Sequence, residues 1–288
     1  ESACWRASVV MGERSPLTIS PEQAQTSEPP VLIANDIRAS YNGREVVHGV
    51  SLAIQPGECL ALVGESGSGK TTLARSLIGL SAQVSGRLSL GGEDLPLFVA
   101  GRSTTQRLAL QYVFQSPRSS LNPRRTIFES IEAPLKALSK SKAGDRRERV
   151  FDALQQVGLS SSMSHRFPDQ LSGGERQRVG IARALVCDPR VLICDEITSA
   201  LDVSVQASIV ELLAKLRVEQ GLGLLFVTHN LALVRTIAER VIVLRAGETV
   251  EEGTVAATLG NPQHEYTRAL ILDAPSISGS QDAERIVN

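Results

Sequence analysis

The absences in this chain narrow its function first. Lysine plus arginine (30) nearly balances aspartate plus glutamate (31), so there is none of the basic excess that marks a nucleic-acid binder. The local cluster Arg146, Arg147 and Arg149 reads as a solvated helix face. No apolar run approaches the roughly 18 residues needed to cross a bilayer, so any work at a membrane goes through a partner. Cysteine is sparse: Cys4, Cys59, Cys187 and Cys194 form no C-x-x-C pair, and three of them lie in apolar stretches that read as strand or helix core. That usage fits a reducing compartment and no disulfides. The stretch from Met11 to Pro30 is rich in Ser, Pro, Glu and Gln and lacks the apolar core of a signal peptide, so it reads as a linker. No internal repeat is visible.

With 288 residues, 42% hydrophobic and 21% charged, the chain suits one large domain with an inserted subdomain, or two domains. From Val31 to Val63 short strands (VLIANDI, VVHGVSLAI, CLALV) are separated by turns at Asn42-Gly43 and Pro56-Gly57. A helix to about Leu80 and a further β-element at Gly86 to Gly92 follow. Leu108 to Gln115 (LALQYVFQ) reads as a strand, ending in a turn-rich basic loop where Pro117 and Pro123 forbid helix. Apolar residues recur at helical spacing over Thr126 to Leu138 and Arg146 to Val157, so residues 115–178 read as a helical insertion. Beyond it the pattern alternates: helix Glu175 to Val186, strand Val191 to Asp195, helix Val203 to Val218, strand Gly223 to Val227, helix Leu231 to Arg240 and strand Val241 to Leu244. Such alternation predicts a doubly wound α/β sheet.

Two glycine-rich helix starts carry the chemistry. In Gly64 to Thr72 (GESGSGKTT) the pattern G-x-x-x-x-G-K-[ST] is complete. Gly64, Gly67 and Gly69 let the backbone wrap a β-phosphate, Lys70 reaches the β- and γ-phosphates, and Thr71 offers its hydroxyl to magnesium. About a hundred residues later comes Leu171 to Val179 (LSGGERQRV), a second helix N-terminus whose N–H groups and dipole attract phosphate. Asp195 and Glu196 end the apolar strand VLIC, where α/β sheets place ligands. Asp195 would hold magnesium, and Glu196, pointing the other way along the pleat, would orient or deprotonate the attacking water. His229 follows the strand LLFVT, and Gln115 ends LALQYVF. Taken singly, each has a plain structural reading: an acidic pair in a loop, a structural histidine, an ordinary glutamine. Together, they are polar residues that each end a different apolar strand, as ligand groups must. Tyr41, in a chain with 3% aromatics, is either a ring for stacking on adenine or an ordinary half-buried tyrosine. Asp202, in SALD, also suits a helix N-cap.

A phosphate-loop match alone should arise by chance in roughly one chain of this length in a hundred. The ordered set is far more specific. Tyr41, GESGSGKTT, Gln115, LSGGERQRV, VLICDE, SALD and His229 occur in the order and spacing of an ABC-transporter ATPase subunit, which the chain resembles from Val31 to about Gly260. The resemblance implies an α/β P-loop (RecA-like) core with an antiparallel β-subdomain and an inserted α-helical subdomain. It also implies ATP and Mg2+ as ligands and head-to-tail pairing with a second ATPase domain. Gly64, Glu65, Ser66, Gly67, Ser68, Gly69, Lys70, Thr71 and Thr72 would then bind ATP in cis, while Ser172, Gly173 and Gly174 would cap the γ-phosphate of a partner's ATP. Glu196 would be the catalytic base, His229 the γ-phosphate sensor and Gln115 the link to the helical subdomain, with Thr71, Gln115 and Asp195 at the metal.

Two further stretches resemble peptide and nickel importer ATPases: FQSPRSSLNPRRT (Phe114 to Thr126) and NPQHEYTRALI (Asn261 to Ile271). The chain departs from those patterns at Ser116, Ile197 and Glu265, none of which is expected to touch phosphate. The implied function is an ATPase powering import of a peptide-like solute at the cytoplasmic face of the membrane, with two transmembrane permease subunits, an extracytoplasmic solute-binding protein and no nucleic acid. The alternative is a soluble ABC ATPase of DNA repair or translation, but the long coiled-coil or zinc modules of repair members do not appear here, and translation members, which carry two ATPase domains joined by a charged linker, lack the SLNPR and HEYT segments. DEITSALDVSVQA is closer to the second of the two different ATPases such importers use, so a heterologous partner is expected. Glu1 to Arg6 (ESACWR) looks like the end of the cysteine-bearing tail that follows the first. The chain is therefore expected to be the carboxyl-terminal half of a fused double ATPase. Cys4 is either an iron–sulfur ligand at the edge of a preceding domain or an inert lone cysteine. The expected layout is linker 1–30, ATPase domain 31–260 and importer-type extension 261–288.

Overall fold

A computed structural model of the chain describes residues 28–115, 120–139, 141–199 and 201–273. Two sheets organise it. The first has four antiparallel strands in the order β2-β1-β4-β5, formed by β1 (Leu32–Tyr41), β2 (Arg44–Ile54), β4 (Gln83–Leu90) and β5 (Glu93–Asp94). Its β1–β2 hairpin turns at Asn42 (φ 50) and Gly43 (φ 77). Paired positive φ values are what a two-residue turn needs to match strand twist.

The second sheet runs β10-β9-β3-β8-β7-β6. Its strands are β3 (Cys59–Val63), β6 (Leu110–Val113), β7 (Val191–Asp195), β8 (Gly223–Val227), β9 (Arg240–Arg245) and β10 (Glu248–Thr254). All neighbours are parallel except the β9–β10 pair. Strands covered on both faces read as unbroken apolar runs, and every residue of CLALV, VLICD and GLLFV is buried. Side-chain alternation divides the core between the faces. Leu60, Leu62, Val191, Ile193, Leu225 and Val227 join a cluster with the first sheet and helix α1 (Lys70–Ile78). Leu192, Cys194, Leu224 and Phe226 pack on the opposite side.

That opposite cluster also contains the inner faces of α3 (Ile127–Leu138), α4 (Ala143–Gln156), α5 (Gly173–Leu185) and α6 (Val203–Gln220). The remaining helices are α2 (Thr104–Ala109), α7 (Leu231–Ile237), α8 (Val255–Gly260) and α9 (Glu265–Leu272). The expected P-loop core, antiparallel β-subdomain and α-helical segments are all present.

Several elements differ from the expectation. Leu108 and Ala109 belong to α2, because Ser103 and Gln106 form a reciprocal capping box that starts a helix there. β6 is therefore short, and Gln115 lies beyond its end. Helix α7 stops at Ile237, which leaves Arg240 in β9, where it pairs with Glu58 at 3.0 Å and with Glu252. Arg146 is not a solvated residue, since its Nε donates to the buried Glu132 at 2.9 Å. Cys59, Cys187 and Cys194 are buried. Burial pushes the Cys187 thiol up to about 12 and raises the other two as well, which makes all three inert. Cys4 lies outside the described residues.

Candidate functional site

The loop from Gly64 to Gly69 joins β3 to α1, and its shape is set by glycine. Gly64 (φ 148), Gly67 (φ 84) and Gly69 (φ 102) all lie where a side chain is rarely tolerated. Lys70 folds back over the loop, its Nζ donating to Gly64 O at 2.8 Å and to Glu65 O at 2.7 Å. Burial lowers the pKa of this ammonium, against the opposing pull of Glu196 and Asp195. A cleft of about 360 Å³ opens beside the loop, lined by Tyr41, Val46, Ser66, Gly67, Gly69, Lys70, Thr71, Thr72, Gln115 and Glu196. Glu65 and Ser68 complete the loop, with Ser68 N donating to Glu65 O at 3.2 Å. Tyr41 ends β1 with 62% of its surface exposed, an open ring face at the mouth of the cleft.

The carboxylates stand at the end of β7. Thr71 Oγ1 donates to Asp195 Oδ1 at 3.1 Å, and the Tyr112 hydroxyl donates to Asp195 Oδ2 at 2.5 Å. Burial raises the Asp195 pKa despite both hydrogen bonds. Glu196 does not follow the strand pleat as expected. It adopts a left-handed conformation (φ 47), with its N–H bonded to Val227 O at 2.9 Å. That strained backbone turns the side chain to Gln115, whose Nε2 donates to Glu196 Oε2 at 2.7 Å, while His229 Nδ1 stands 3.5 Å from Oε1. Three residues far apart in sequence thus meet at one carboxylate.

Thr71 and Asp195 present hard oxygen donors side by side, and the Gln115 amide carbonyl is a third, a set that fits magnesium. Among the described residues no three His, Cys, Asp or Glu side chains gather into a metal cage. An ion held here would therefore keep phosphate and water ligands, as magnesium prefers.

The second glycine segment lies elsewhere. Ser172 caps α5 in a capping box, accepting from Glu175 N at 3.3 Å while its own N–H donates to Glu175 Oε2 at 2.7 Å. The third N–H of the helix is therefore occupied, and only the glycine N–H groups ahead of it remain to attract an anion. Gly174 also has a packing reason: a Cβ there would meet Val205 Cγ1 at 2.7 Å. None of Ser172, Gly173 and Gly174 lines the cleft beside Lys70.

Tyr112 is the residue that the sequence did not reveal. It stands opposite Ile193 in the parallel β6–β7 register, which puts it on the same face as Asp195, two residues further along β7. Burial and then the charge of Asp195 push the phenol pKa far up, so the hydroxyl stays a donor. Tyr112→Phe should leave Asp195 Oδ2 unpaired, lower unfolding free energy by about 1–3 kcal/mol in urea titrations and slow hydrolysis. Wild-type stability in that variant would show the hydrogen bond to be dispensable.

Comparison with known proteins agrees with this geometry. Residues 47–199 match the family model described as ABC transporter. The chain is 45% identical over 232 residues to the oligopeptide transport ATP-binding protein OppF of Salmonella typhimurium, covering 80% of this chain and 70% of that one. It is 41% identical over 242 residues to the dipeptide transport ATP-binding protein DppF of Haemophilus influenzae, covering 84% and 74%. Among solved structures, cbiO1 of Clostridium perfringens, part of an ABC transporter complex, superposes with a TM-score of 0.72 at 27% identity, covering 81% of this chain and 92% of that one. A dimeric ATP-binding cassette bound to ADP and Pi superposes with a TM-score of 0.65 at 30% identity, covering 78% and 98%. The chain belongs to the ABC transporter family and has its P-loop ATPase fold.

Proposed function

We propose that this chain is the ATP-binding and ATP-hydrolysing subunit that powers import of peptides, or of a related solute, through partner permease subunits at the cytoplasmic face of the cell membrane. The observation that carries the ATPase reading is the convergence of Gln115 and His229 on Glu196 at the mouth of the phosphate-loop cleft. Peptide as cargo is supported by relatives described as oligopeptide and dipeptide transport proteins.

In this reading Tyr41 stacks on adenine, and Gly64 to Thr72 hold the phosphates through backbone N–H groups and Lys70. Thr71, Asp195 and Gln115 hold magnesium, which when bound neutralises phosphate charge. Glu196, between the Gln115 amide and the His229 ring, takes the proton of the attacking water, and His229 senses the γ-phosphate. Ser172, Gly173 and Gly174, outside this chain's own cleft, cap ATP held by a second ATPase domain; the dimeric cassette with ADP and Pi bound supports such pairing.

The proposed layout is a cassette over 31–260, with its helical subdomain at about 115–178, between a linker (1–30) and the extension (261–288). Helix α5 runs unbroken through residue 178, so movement of that subdomain would carry the Ser172 end with it. A permease segment would dock on the helical side, where a cleft of about 340 Å³ is lined by Gln111, Phe114, Pro134 and Arg183. No helix among the described residues is long and apolar enough to cross a membrane. An extracytoplasmic binding protein would deliver the solute. The second ATPase domain is proposed to be heterologous and encoded upstream in the same polypeptide, where Cys4 would border any iron–sulfur domain. An upstream reading frame without an ATPase domain would refute that arrangement.

The cargo is tested by ATP-dependent uptake of labelled di- and oligopeptides into vesicles carrying the full transporter. Uptake that needs both ATP and an intact Glu196 is expected. Robust ATPase with no response to any peptide-loaded binding protein would remove peptides as cargo.

A further inference from the structure

The carboxyl-terminal segment NPQHEYT bears no part of the chemistry above, yet it reaches the phosphate loop. Tyr266, in the first turn of α9, accepts a hydrogen bond from Glu65 N at 3.0 Å across 201 residues of sequence. Glu65 N and Gly64 O belong to one peptide group, and Gly64 O is the acceptor of Lys70 Nζ at 2.8 Å. A peptide group is planar and rigid. Fixing its N–H edge therefore fixes the direction of its C=O edge, and with it one of the two carbonyls that aim Lys70.

Tyr266 is itself held firmly. It is 7% exposed, packed with Val63, Val243 and Leu259, and Arg245 lies over its ring at 5.0 Å. The turn ahead of it is pinned, because the Glu251 carboxylate accepts from Gln263 N at 2.8 Å and His264 N at 3.1 Å, and His264 Nδ1 accepts from Tyr266 N at 3.1 Å. An apolar anchor for α9 would need only the ring. The hydroxyl adds a single directed bond, and that bond goes to the loop.

We propose that Tyr266 is a positioning residue for Lys70, acting through the Gly64–Glu65 peptide, so that docking of the carboxyl-terminal helix and affinity for nucleotide are coupled. Coupling between two sites is reciprocal: nucleotide tightens the helix as the docked helix tightens nucleotide. The inference rests on the reading of the loop as a nucleotide site.

The test titrates the full chain with MgADP, which avoids turnover, and follows backbone hydrogen exchange. In Tyr266→Phe the dissociation constant should rise about three- to tenfold, the worth of one net hydrogen bond, with the urea midpoint lowered by no more than the loss of that one bond accounts for. MgADP should slow exchange over 265–272 in the wild type and fail to do so in Tyr266→Phe. Unchanged affinity in the variant, or slowing that persists in it, would overturn the proposal, whereas a purely structural anchor predicts both of those results. Lys70→Ala serves as the control: if it also binds MgADP normally, the nucleotide reading is what fails. Should Tyr266→Phe not fold, the wild type decides, since no slowing of 265–272 by MgADP overturns the coupling.

Discussion

Glu196→Gln should bind MgATP like the wild type and hydrolyse it about 10²–10⁴-fold more slowly, the usual worth of a positioned general base. The substitution keeps the shape of the side chain and its carbonyl oxygen, so the bond from Gln115 Nε2, at 2.7 Å in the wild type, can persist. What is lost is the basic oxygen on the side facing His229. With hydrolysis blocked, the ATP-bound closed pair should accumulate and run as a dimer on size exclusion. Rapid-quench single-turnover assays read the rate directly, and undiminished turnover would take Glu196 out of the base role. Because Glu196 sits at φ 47, Glu196→Ala is a poorer probe: it moves a strained backbone as well as removing the carboxylate.

Gly64→Ala should cost about 2–6 kcal/mol of stability, the sum of strained φ and overpacking, and should abolish nucleotide binding. A Cβ at Gly64 would lie 2.1 Å from Leu244 O and 2.9 Å from Ser68 Oγ. Leu244 O belongs to β9, which is held on both sides by β3 and β10, so the strand yields less readily than the loop. The loop must move instead, and the carbonyl that holds Lys70 moves with it. Gly67→Ala is the informative contrast, since a Cβ there meets nothing within 4 Å. That variant should fold with a smaller loss, set by its φ of 84 alone, but bind ATP weakly because the methyl group enters the space the phosphates need. Urea titration and nucleotide binding on both variants separate the effects. A Gly64→Ala chain as stable as the wild type would contradict the packing described here.

The parallel strands were legible in the sequence because burial on both faces leaves unbroken apolar runs, as in CLALV, VLICD and GLLFV. The polar residues near their carboxyl ends were legible for the same reason, since a polar residue after such a run stands at the sheet edge where ligands bind. β10 was not, because ETVEEGT is a polar edge strand with no buried residue to mark it. Nor was α2: its last two residues, Leu108 and Ala109, run straight into the apolar β6 and read as the start of that strand. Tyr112 and Tyr266 needed tertiary knowledge. One looks like any buried strand aromatic until the β6–β7 register brings it beside Asp195. The other acts on a loop 201 residues away, a separation no local pattern encodes.

The most direct test of the account is a mixed pair. This chain, with Gly173→Asp, is combined with its wild-type partner ATPase domain, and occlusion of photolabelled ATP is measured separately at each phosphate loop. An acidic side chain at the start of α5 repels phosphate whichever domain holds it, so the affected loop identifies the ATP that this segment serves. Failure confined to the partner's loop, with occlusion retained at Gly64 to Thr72, is the expected result. Failure at this chain's own loop, with the partner's intact, would contradict the shared site.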